Sequence, residues 1–423
     1  MPASIRSMNN QTQDFKDKSK RFERFIMKIN LFSKRYLAAA VTFAILGFIF
    51  SAGTAFGARA RREVKIPDVP GYVTLKCDFH IHTVFSDGGV WPSVRAEEAW
   101  REGLDAFAIT DHIEYQPHKE DVRTGHNRSY EIAKAGAEAL NLIIIKGAEI
   151  SRDMPPGHFN AIFLKDANVL DTKEWRDALS AAIEQGAFIF WNHPGWREQA
   201  PEGKAVWYAE HTELYEKGWI QGIEVVNENE YYPEVHKWCI EKKLTMLGGS
   251  DVHSPTNLEY GFEEGEHRAM TLVLAKEKSE EGIKEALKNR RTVVYCKNVL
   301  MGEEKYLRAI FNESIAIVNR EVTIKGKGAA NIQIRNRSAI DFELVADGAA
   351  EGISAPENIT LYGDRTVIFK VRGKSEDVSG KKNVGIAYKV KNLLTAPEEG
   401  LRAELVININ FVPAEKDEAP KRI

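Results

Sequence analysis

The stretch that decides the fold is Cys77-Asp78-Phe79-His80-Ile81-His82-Thr83-Val84-Phe85-Ser86-Asp87-Gly88. Its first half ends an apolar run typical of a β-strand, in which residues i and i+2 face the same side. His80 and His82 therefore direct two imidazoles to one point, and Asp87 can fold back from the turn that follows. Imidazoles and carboxylates are ligands of divalent transition metals. Two ordinary half-buried histidines would give the same local pattern, so the choice depends on the rest of the chain.

Around this stretch, short apolar runs alternate with amphipathic helical stretches. The runs lie near Val73–Phe79, Ala106–Thr110, Leu142–Ala148, Phe159–Leu164, Phe188–Trp191, Ile223–Val226 and Thr245–Gly248. The helical stretches lie near Ser93–Glu102, Tyr130–Leu140, Lys173–Gln185, Val206–Lys217, Pro233–Lys242 and Glu277–Asn289. This alternation predicts a largely parallel sheet that is buried on both faces. About seven such units favour a closed α/β barrel over an open sheet for residues 74–300, after a linker over residues 61–73.

From about Lys305 the helical periodicity gives way to period-2 alternation, as in Ile332-Gln333-Ile334-Arg335 and Leu405-Val406-Ile407-Asn408-Ile409. Turns rich in Gly, Asn, Asp and Pro separate these runs. The pattern predicts an all-β, immunoglobulin-like sandwich over residues 305–415, followed by a charged tail over residues 416–423. Sandwiches carry many functions, so this domain alone predicts no activity.

The first 60 residues have the character of a leader. Lys34 and Arg35 precede an apolar run from Leu37 to about Phe50, which continues through small residues to Ala58. This order predicts a secretory signal with cleavage near Gly57 to Ala60. The rival interpretation is an uncleaved anchor, because residues 37–58 are just long enough to span a bilayer. Both interpretations predict export to the periplasm or the extracellular space, with membrane contact only through this segment.

Composition limits the range of partners. The chain has 58 Lys and Arg against 61 Asp and Glu, with a formal net charge of -3. No basic stripe is present, which disfavours long nucleic acid as a substrate. The three cysteines, Cys77, Cys239 and Cys296, are too few and too scattered for a disulfide framework. We interpret them as small buried apolar residues.

Potential metal ligands follow or open nearly every predicted strand of the barrel. The motifs are His80-Ile81-His82, Thr110-Asp111-His112, Gly147-Ala148-Glu149, Gly157-His158, Asn192-His193-Pro194 and Gly249-Ser250-Asp251-Val252-His253. In a parallel α/β barrel the carboxyl ends of different strands meet at one rim, where the chemistry is found. Such regular placement favours a metal cluster over isolated histidines.

Together these motifs resemble the PHP family, named for polymerase and histidinol phosphatase, over roughly residues 74–300. The resemblance implies a distorted seven-stranded (β/α) barrel that holds up to three metals. His80, His82, Glu149 and Asp251 would hold the first metal. Glu149, His158 and His193 would hold the second, with the glutamate bridging. Asp87, His112 and His253 would hold the third.

The resemblance implies a metal-dependent phosphoesterase, in which neighbouring metals activate a water and neutralise phosphoryl charge. Ligands without thiolate suit Mn, Fe or Zn, two or three ions per chain. A small-molecule phosphodiester is the preferred substrate. A monoester of the histidinol phosphate type and a nuclease activity are the alternatives within the class. An inactive barrel that carries a binding sandwich is the alternative from another class, and an amidohydrolase-type reaction is a further one.

Several other residues are candidates for supporting roles, and each has a plain structural alternative. Arg152 and Arg197 follow ligand motifs and could clamp phosphate. His118 lies in a loop over the presumed mouth and could protonate the leaving group. The candidates for orienting imidazoles are Asp78 and Asp111, and those for lining the pocket are Asn227 and Glu228. The aromatic residues that could stack on a substrate ring, with core packing as the favoured alternative, are Trp191, Trp196, Tyr231 and Tyr232. The histidines that fit no motif are interpreted as surface or helix residues: His126, His211, His236 and His267.

Overall fold

The computed structural model of the chain describes residues 60–122, 125–262 and 265–414, together with residues 20, 21, 23, 24 and 27. The predicted signal or anchor at residues 37–58 and the charged tail at residues 416–423 lie outside the described residues. The chain divides into two units, Met1–Ala60 and Arg61–Ile423, and the second contains every element named below. Within the described ranges, no helix has both the length and the apolar character needed to cross a membrane.

The barrel half of Arg61–Ile423 alternates strands and helices as predicted. Its strands are β1 (Val73–Asp78), β2 (Ala106–Ile109), β3 (Ile143–Ile150), β4 (Phe159–Ile162), β5 (Phe188–Trp191), β6 (Gly222–Asn227), β7 (Glu230–Tyr231), β8 (Thr245–Gly249), β9 (Met270–Ala275), β10 (Thr292–Cys296) and β11 (Val299–Gly302). Its helices are α1 (Pro92–Arg101), α2 (Arg128–Ala139), α3 (Trp175–Glu184), α4 (Ala209–Glu216), α5 (Pro233–Lys242), α6 (Thr256–Glu259) and α7 (Glu280–Lys288). A short 3-10 helix spans Asn168–Leu170.

The strands form one sheet that curls around a buried interior, in the order β9-β1-β2-β3-β4-β5-β6, with β8 beside β6. Closure comes from the ends of β1 and β8, where the Asp251 amide donates to the His80 carbonyl (2.9 Å) and Ile81 pairs with Val252. The predicted distorted barrel with a mainly parallel sheet is therefore confirmed. Two strands depart from the parallel direction: β4 runs antiparallel to both β3 and β5, and β9 runs antiparallel to β1. A buried four-residue strand carries no mark of its direction.

The predicted linker packs against the barrel. Val64 and Val69 are buried, and the Arg62 amide donates to the Arg101 carbonyl (2.7 Å) at the end of α1. Regular structure resumes at β1, as expected. Residues 61–72 therefore extend the barrel's outer layer, because their valines bury apolar surface that a free linker would leave in water.

The all-β half begins later than the sequence indicated, because helix α8 (Glu304–Ser314) precedes it. Two sheets then pack face to face, as predicted for a sandwich. Their strands are β12 (Ile315–Ile317), β13 (Glu321–Lys325), β14 (Ala329–Asn336), β15 (Phe342–Ala346), β16 (Ile353–Ser354), β17 (Asn358–Leu361), β18 (Thr366–Gly373), β19 (Gly380–Ala396) and β20 (Glu399–Val412). One sheet has the order β12-β14-β18-β16, and the other contains β13, β20, β19, β15 and β17.

The two halves share a sheet and a core. The long strand β19 pairs in parallel with β11, where Leu300 lies opposite Leu393. One apolar cluster runs without interruption from barrel residues such as Leu272 to sandwich residues such as Phe342. At the junction the Asn392 amide donates to the carbonyls of Asn298 (2.7 Å) and Asp341 (2.8 Å). These bonds fix the sandwich against the barrel.

Candidate metal centre

All nine predicted ligands lie at one rim of the barrel. Glu149 lies near the end of β3, and Asp251 follows β8. His158 precedes β4, and because β4 runs in the opposite direction, its beginning lies where its neighbours end. Asp251 and His193 have left-handed backbones, with φ of 53° and 28°. Such backbones are strained in L-residues and concentrate at functional sites.

The first predicted ligand group has a tetrahedral outline. The Nε2 atoms of His80 and His82 lie 3.1 Å apart, and each lies 3.1 Å from Oε2 of Glu149. Oδ1 of Asp251 lies 3.1 Å from His80 Nε2 and 3.0 Å from His82 Nε2. Four ligands at about 2.0–2.1 Å from a zinc-like ion would be separated by about 3.3 Å. The four donor atoms thus fit one cation with small adjustments.

The second and third groups adjoin the first. Glu149 presents its other oxygen, Oε1, to His158 Nδ1 (2.8 Å) and His193 Nε2 (3.5 Å). Asp87 faces His112 Nε2 (3.5 Å) and His253 Nε2 (3.3 Å). The structure therefore brings together each of the three groups that the resemblance implies, with Glu149 between the first and the second.

Within the described residues, three donor atoms of the cluster lack hydrogen-bond partners, as expected for ligands of divalent cations. Asp87 Oδ1, Glu149 Oε1 and His158 Nδ1 are buried atoms that form no hydrogen bond in the described part of the chain. A buried polar atom without a partner is costly, and each such atom requires an explanation. His158 Nδ1 and Glu149 Oε1 are close, yet their orientation is wrong for a hydrogen bond. Two electron-pair donors that face the same space fit a shared cation. Four overlapping groups of these residues have ligand atoms close enough together to hold one ion.

Charge coupling in the cluster is strong. Burial alone would lower the pKa of His82, but hydrogen bonds and charge from Asp251 and Glu149 raise it to about 10. Burial likewise opposes ionisation of Glu149, yet the surrounding imidazoles hold its pKa well below its usual range. In the protein without metal, protons on imidazoles thus balance the buried carboxylates. Divalent ions would take over that role and release the protons.

Glu224 is a functional residue that the sequence analysis did not identify. It lies in β6, fully buried, and its Oε1 accepts from His80 Nδ1 (2.8 Å). Its Oε2 accepts from the His193 amide (2.8 Å) and the Asn227 side chain (2.9 Å). A carboxylate behind a ligand histidine fixes the tautomer and turns Nε2 toward the metal. Gly249 makes room for this contact, since any side chain there would collide with Glu224 and His80.

The two aspartates expected to orient imidazoles act less directly. Asp111 accepts from Thr83 and from Ser86 Oγ (2.8 Å), and Ser86 Oγ lies 3.2 Å from His82 Nδ1. Asp111 therefore reaches the His82 ring only through a hydroxyl. Asp78 contacts no imidazole and instead pairs with the buried Arg268 (2.9 Å).

A buried arginine braces two of the ligand-bearing segments. Arg95 is 1% exposed, and its guanidinium donates to the carbonyls of residues 82, 252, 253 and 254 at 2.8–3.1 Å. Nη1 also pairs with Glu98 (2.8 Å), whose other oxygen accepts from the Thr256 amide (3.1 Å). One side chain therefore ties the loop after β1 to the loop after β8.

A cavity of about 420 Å³ opens above the cluster. The residues around it other than ligands include Trp196, Arg197, Glu198, Asn227, Glu228, Glu230 and Tyr232. Among the described residues of these walls, Arg197 carries the one guanidinium. The Trp196 ring centroid lies 5.3 Å from the His193 ring centroid. The structure thus brings Arg197, Asn227 and Glu228 to the cavity, as expected, and also Trp196 and Tyr232, for which core packing was the favoured interpretation.

Other predicted residues lie away from this cavity. Arg152 binds Glu114 and the Thr172 carbonyl (3.0 Å), so its guanidinium is engaged outside the cluster. His118 is exposed on its loop and does not line the cavity. The structure therefore does not bring Arg152 or His118 to the cavity, contrary to the expectation for both side chains. Tyr231 also lies outside, and its hydroxyl is 2.9 Å from His236 Nδ1.

The remaining histidines are partly misjudged by the sequence. His211 and His236 lie on helices, as expected, but both are fully buried. His211 stacks on Trp191 with ring centroids 3.8 Å apart, and its Nε2 donates to the Pro156 carbonyl (2.8 Å) in the loop that leads to His158. Trp191 is therefore a core residue. His126 and His267 are half-buried, and the three cysteines are buried and free, as predicted.

Comparison with known proteins gives three findings. A two-domain protein of Bacteroides vulgatus that contains a predicted PHP-like metal-dependent phosphoesterase is similar in structure: it has 45% sequence identity and a TM-score of 0.79, and the alignment covers 83% of this chain and 100% of that one. A family model described as an Ig-like domain matches residues 315–406. An uncharacterized protein of Methanocaldococcus jannaschii is 34% identical over 82 residues, which are 19% of this chain and 36% of that relative.

Proposed function

This chain belongs to the PHP-like metal-dependent phosphoesterases, and on that premise we propose that it hydrolyses small-molecule phosphoesters, preferably diesters, at the rim cluster. The observation that carries the proposal is the convergence of the Nε2 atoms of His80 and His82 with oxygens of Glu149 and Asp251 within 3.0–3.1 Å. Two or three ions of Mn, Fe or Zn would be held by the three groups of ligands. When bound, they would supply an acidified water and positive charge for the phosphoryl oxygens.

The chain's own residues would bind and orient the ester. Arg197, at the cavity wall, would donate to a phosphoryl oxygen, and a guanidinium can do so bidentately. Asn227 donates to Glu224 (2.9 Å) and lies 3.4 Å from Asp251 Oδ2, so it holds both carboxylates in place. Trp196 and Tyr232 would cover the apolar part of the leaving group.

Size and charge support a small diester. The cavity of about 420 Å³ accommodates a small organic phosphate. Among the described residues, its walls carry Glu198, Glu228 and Glu230 beside one arginine, Arg197. Burial, followed by the charges of Asp251 and Glu259, raises the pKa of Glu228. A diester carries one negative charge where a monoester carries nearly two, so these acidic walls oppose a diester less.

The test is hydrolysis of bis(p-nitrophenyl) phosphate and of p-nitrophenyl phosphate by protein loaded with Mn, Fe or Zn in turn. We expect faster turnover of the diester, loss of activity with chelator, and loss in Glu149→Ala. Arg197→Met should raise KM with a smaller effect on kcat. Faster turnover of the monoester would contradict the diester preference. Absence of turnover and of metal in folded protein would favour the inactive barrel with a binding sandwich.

We also propose that the protein is exported through its leader. Support comes from the order of Lys34 and Arg35, the apolar residues 37–50 and the small residues up to Ala58. Cell fractionation with N-terminal sequencing of the recovered chain tests this: an N-terminus between residues 57 and 61 supports cleavage, and an intact membrane-bound chain supports the anchor. Recovery in the cytosol with the leader intact would contradict export.

A further inference from the structure

The end of the barrel opposite the metal cluster carries a groove of about 390 Å³, here called the basal groove. Its charge comes from Lys242 and Lys288, the last residues of α5 and α7, and from Lys243 and Arg290 in the loops that lead from these helices to β8 and β10. Tyr215 and Gln221 complete its walls, and none of the described residues that line it is acidic. The metal cavity, by contrast, has five carboxylate residues on its walls. The groove at one end of the barrel is thus basic, and the metal cavity at the other end is rich in carboxylates.

The cations of the basal groove are poorly neutralised. Arg290 pairs with Glu303 (3.3 Å), but within the described ranges Lys243 and Lys288 form no ion pair. Lys242 has no carboxylate partner there either, and its Nζ lies over the rings of Trp207 (4.5 Å) and Tyr215 (5.2 Å). Burial, and next the charge of Lys288, lowers the pKa of the neighbouring Lys284. An anion in the groove would relieve this repulsion.

Two of these cations occupy positions where glycine is favoured. Gly103, Gly186 and Gly218 follow α1, α3 and α4 with left-handed φ of 91°, 75° and 66°. Lys243 and Arg290, which follow α5 and α7, have φ of 56° and 55°. An L-residue is strained in this conformation, whereas glycine is not. The helix dipole favours cations near the carboxyl end of a helix. A lysine within the last helical turn would gain the same stabilisation without a left-handed backbone. Strain that is kept at two positions on one groove points to a function.

The surroundings of the groove favour a membrane as the source of the anion. Exposed Tyr215 and half-buried Trp219, under Lys217 at 4.7 Å, give the mixture of aromatic and basic side chains found at bilayer interfaces. Arg61, the first residue of the folded unit, also lies at this end of the barrel, where its guanidinium donates to the Leu104 carbonyl (2.8 Å) in the loop before β2. The preceding residues 37–58 form the apolar run that could serve as an anchor.

We propose that the basal groove binds phosphate headgroups of anionic phospholipids, so that the barrel docks on a membrane with its metal cavity facing away. This role is separate from hydrolysis and does not depend on it. Each lysine or arginine near an anionic surface contributes about 1 kcal/mol, which corresponds to about a fivefold change in partitioning per cation.

The experiment uses Arg61–Ile423, a compact unit of its own, with vesicles of phosphatidylcholine alone or with one third phosphatidylglycerol. We expect co-sedimentation only with the anionic vesicles, weakened by salt. Lys243→Gly should lower partitioning about fivefold and, because it relieves left-handed strain, raise Tm by roughly 1–2 °C. Lys243→Gly/Arg290→Gly should lower partitioning by about 25-fold. Phosphodiesterase activity should not change in either variant.

The control Lys370→Gln/Arg372→Gln removes the same charge from the sandwich and should retain vesicle binding. Equal binding to neutral vesicles, or equal loss in this control, would overturn the proposal. Protection of the groove by inorganic phosphate alone, without vesicle binding, would overturn the membrane assignment. A loss of binding accompanied by a lower Tm in Lys243→Gly would show a structural role for the lysine instead.

Discussion

Replacing Arg95 with methionine should weaken both the fold and the metal centre. The guanidinium makes four bonds to backbone carbonyls of the two ligand loops and one to Glu98, all at 2.8–3.1 Å. Removing one member of a buried ion pair costs about 3–5 kcal/mol. That is a large part of the roughly 5–15 kcal/mol by which a domain is stable. Because the loops carry His82, Asp251 and His253, we also expect metal affinity to fall about 10–100-fold.

The assay combines urea unfolding with metal analysis after dialysis against graded chelator. The double variant Arg95→Met/Glu98→Met removes both charges, so it should recover part of the stability. It should not recover metal affinity, because the carbonyls of residues 82 and 252–254 remain without their donor. Arg101→Met, an exposed arginine on the same helix, is the control and should change neither quantity. If Arg95→Met retains wild-type metal content at every chelator concentration, the bracing role is wrong.

Three further predictions concern the cluster and the buried histidines. Glu224→Gln should lower metal affinity about 10–100-fold and also lower stability by about 1–3 kcal/mol, because its amide NH2 would face a buried donor. Glu216→Gln on the surface should change neither quantity. Equal metal affinities in a competition titration would contradict the role of Glu224. Metal binding should release protons and should weaken as the pH falls, because carboxylates raise the pKa of His82 to about 10 in the metal-free protein. Calorimetry in two buffers of different ionisation enthalpy measures the protons released, and metal binding without proton release would refute this prediction. Burial lowers the pKa of His211 and His236 from 6.5 to about 4. Their contribution to stability is therefore present above pH 6.5 and is lost as the pH falls to 4, by at most about 3 kcal/mol each. His211→Gln should make the urea midpoint decline less steeply between pH 7 and pH 5, and an unchanged slope would contradict this prediction.

The strand-end ligands were predictable because their spacing follows from the fold. In a barrel, residues that follow different strands meet at one rim, so the motifs from His80 to His253 identified the cluster without coordinates. The structure places His158 in the cluster, as predicted, although β4 runs in the opposite direction. The other ligands follow their strands, whereas His158 precedes β4. That difference was the sign in the sequence that β4 is reversed.

Glu224 was missed for a physical reason. It is one acid in the apolar run Gly222-Ile223-Glu224-Val225-Val226, and a single acid in a strand usually faces solvent. Here every residue of β6 is buried, so a charged side chain at that position requires a partner. An isolated carboxylate within an otherwise apolar central strand was the signal that could have found it.

Helix α8 was missed because the change to period-2 alternation was placed too early. Its buried residues are Tyr306, Leu307, Ile310, Phe311 and Ser314, a helical spacing that the sequence does contain. Arg152 and His118 could not be judged in advance. Their directions depend on loop contacts, such as the pairing of Arg152 with Glu114, that no spacing rule describes.

The parallel pairing of β11 with β19 has a consequence for how this protein can vary. Removing the sandwich would strip a strand from the barrel's own sheet and uncover an apolar edge that invites aggregation. We therefore expect proteolytic trimming of the sandwich to expose the barrel to aggregation. We also expect the two halves to unfold in a single transition, because they share one apolar cluster.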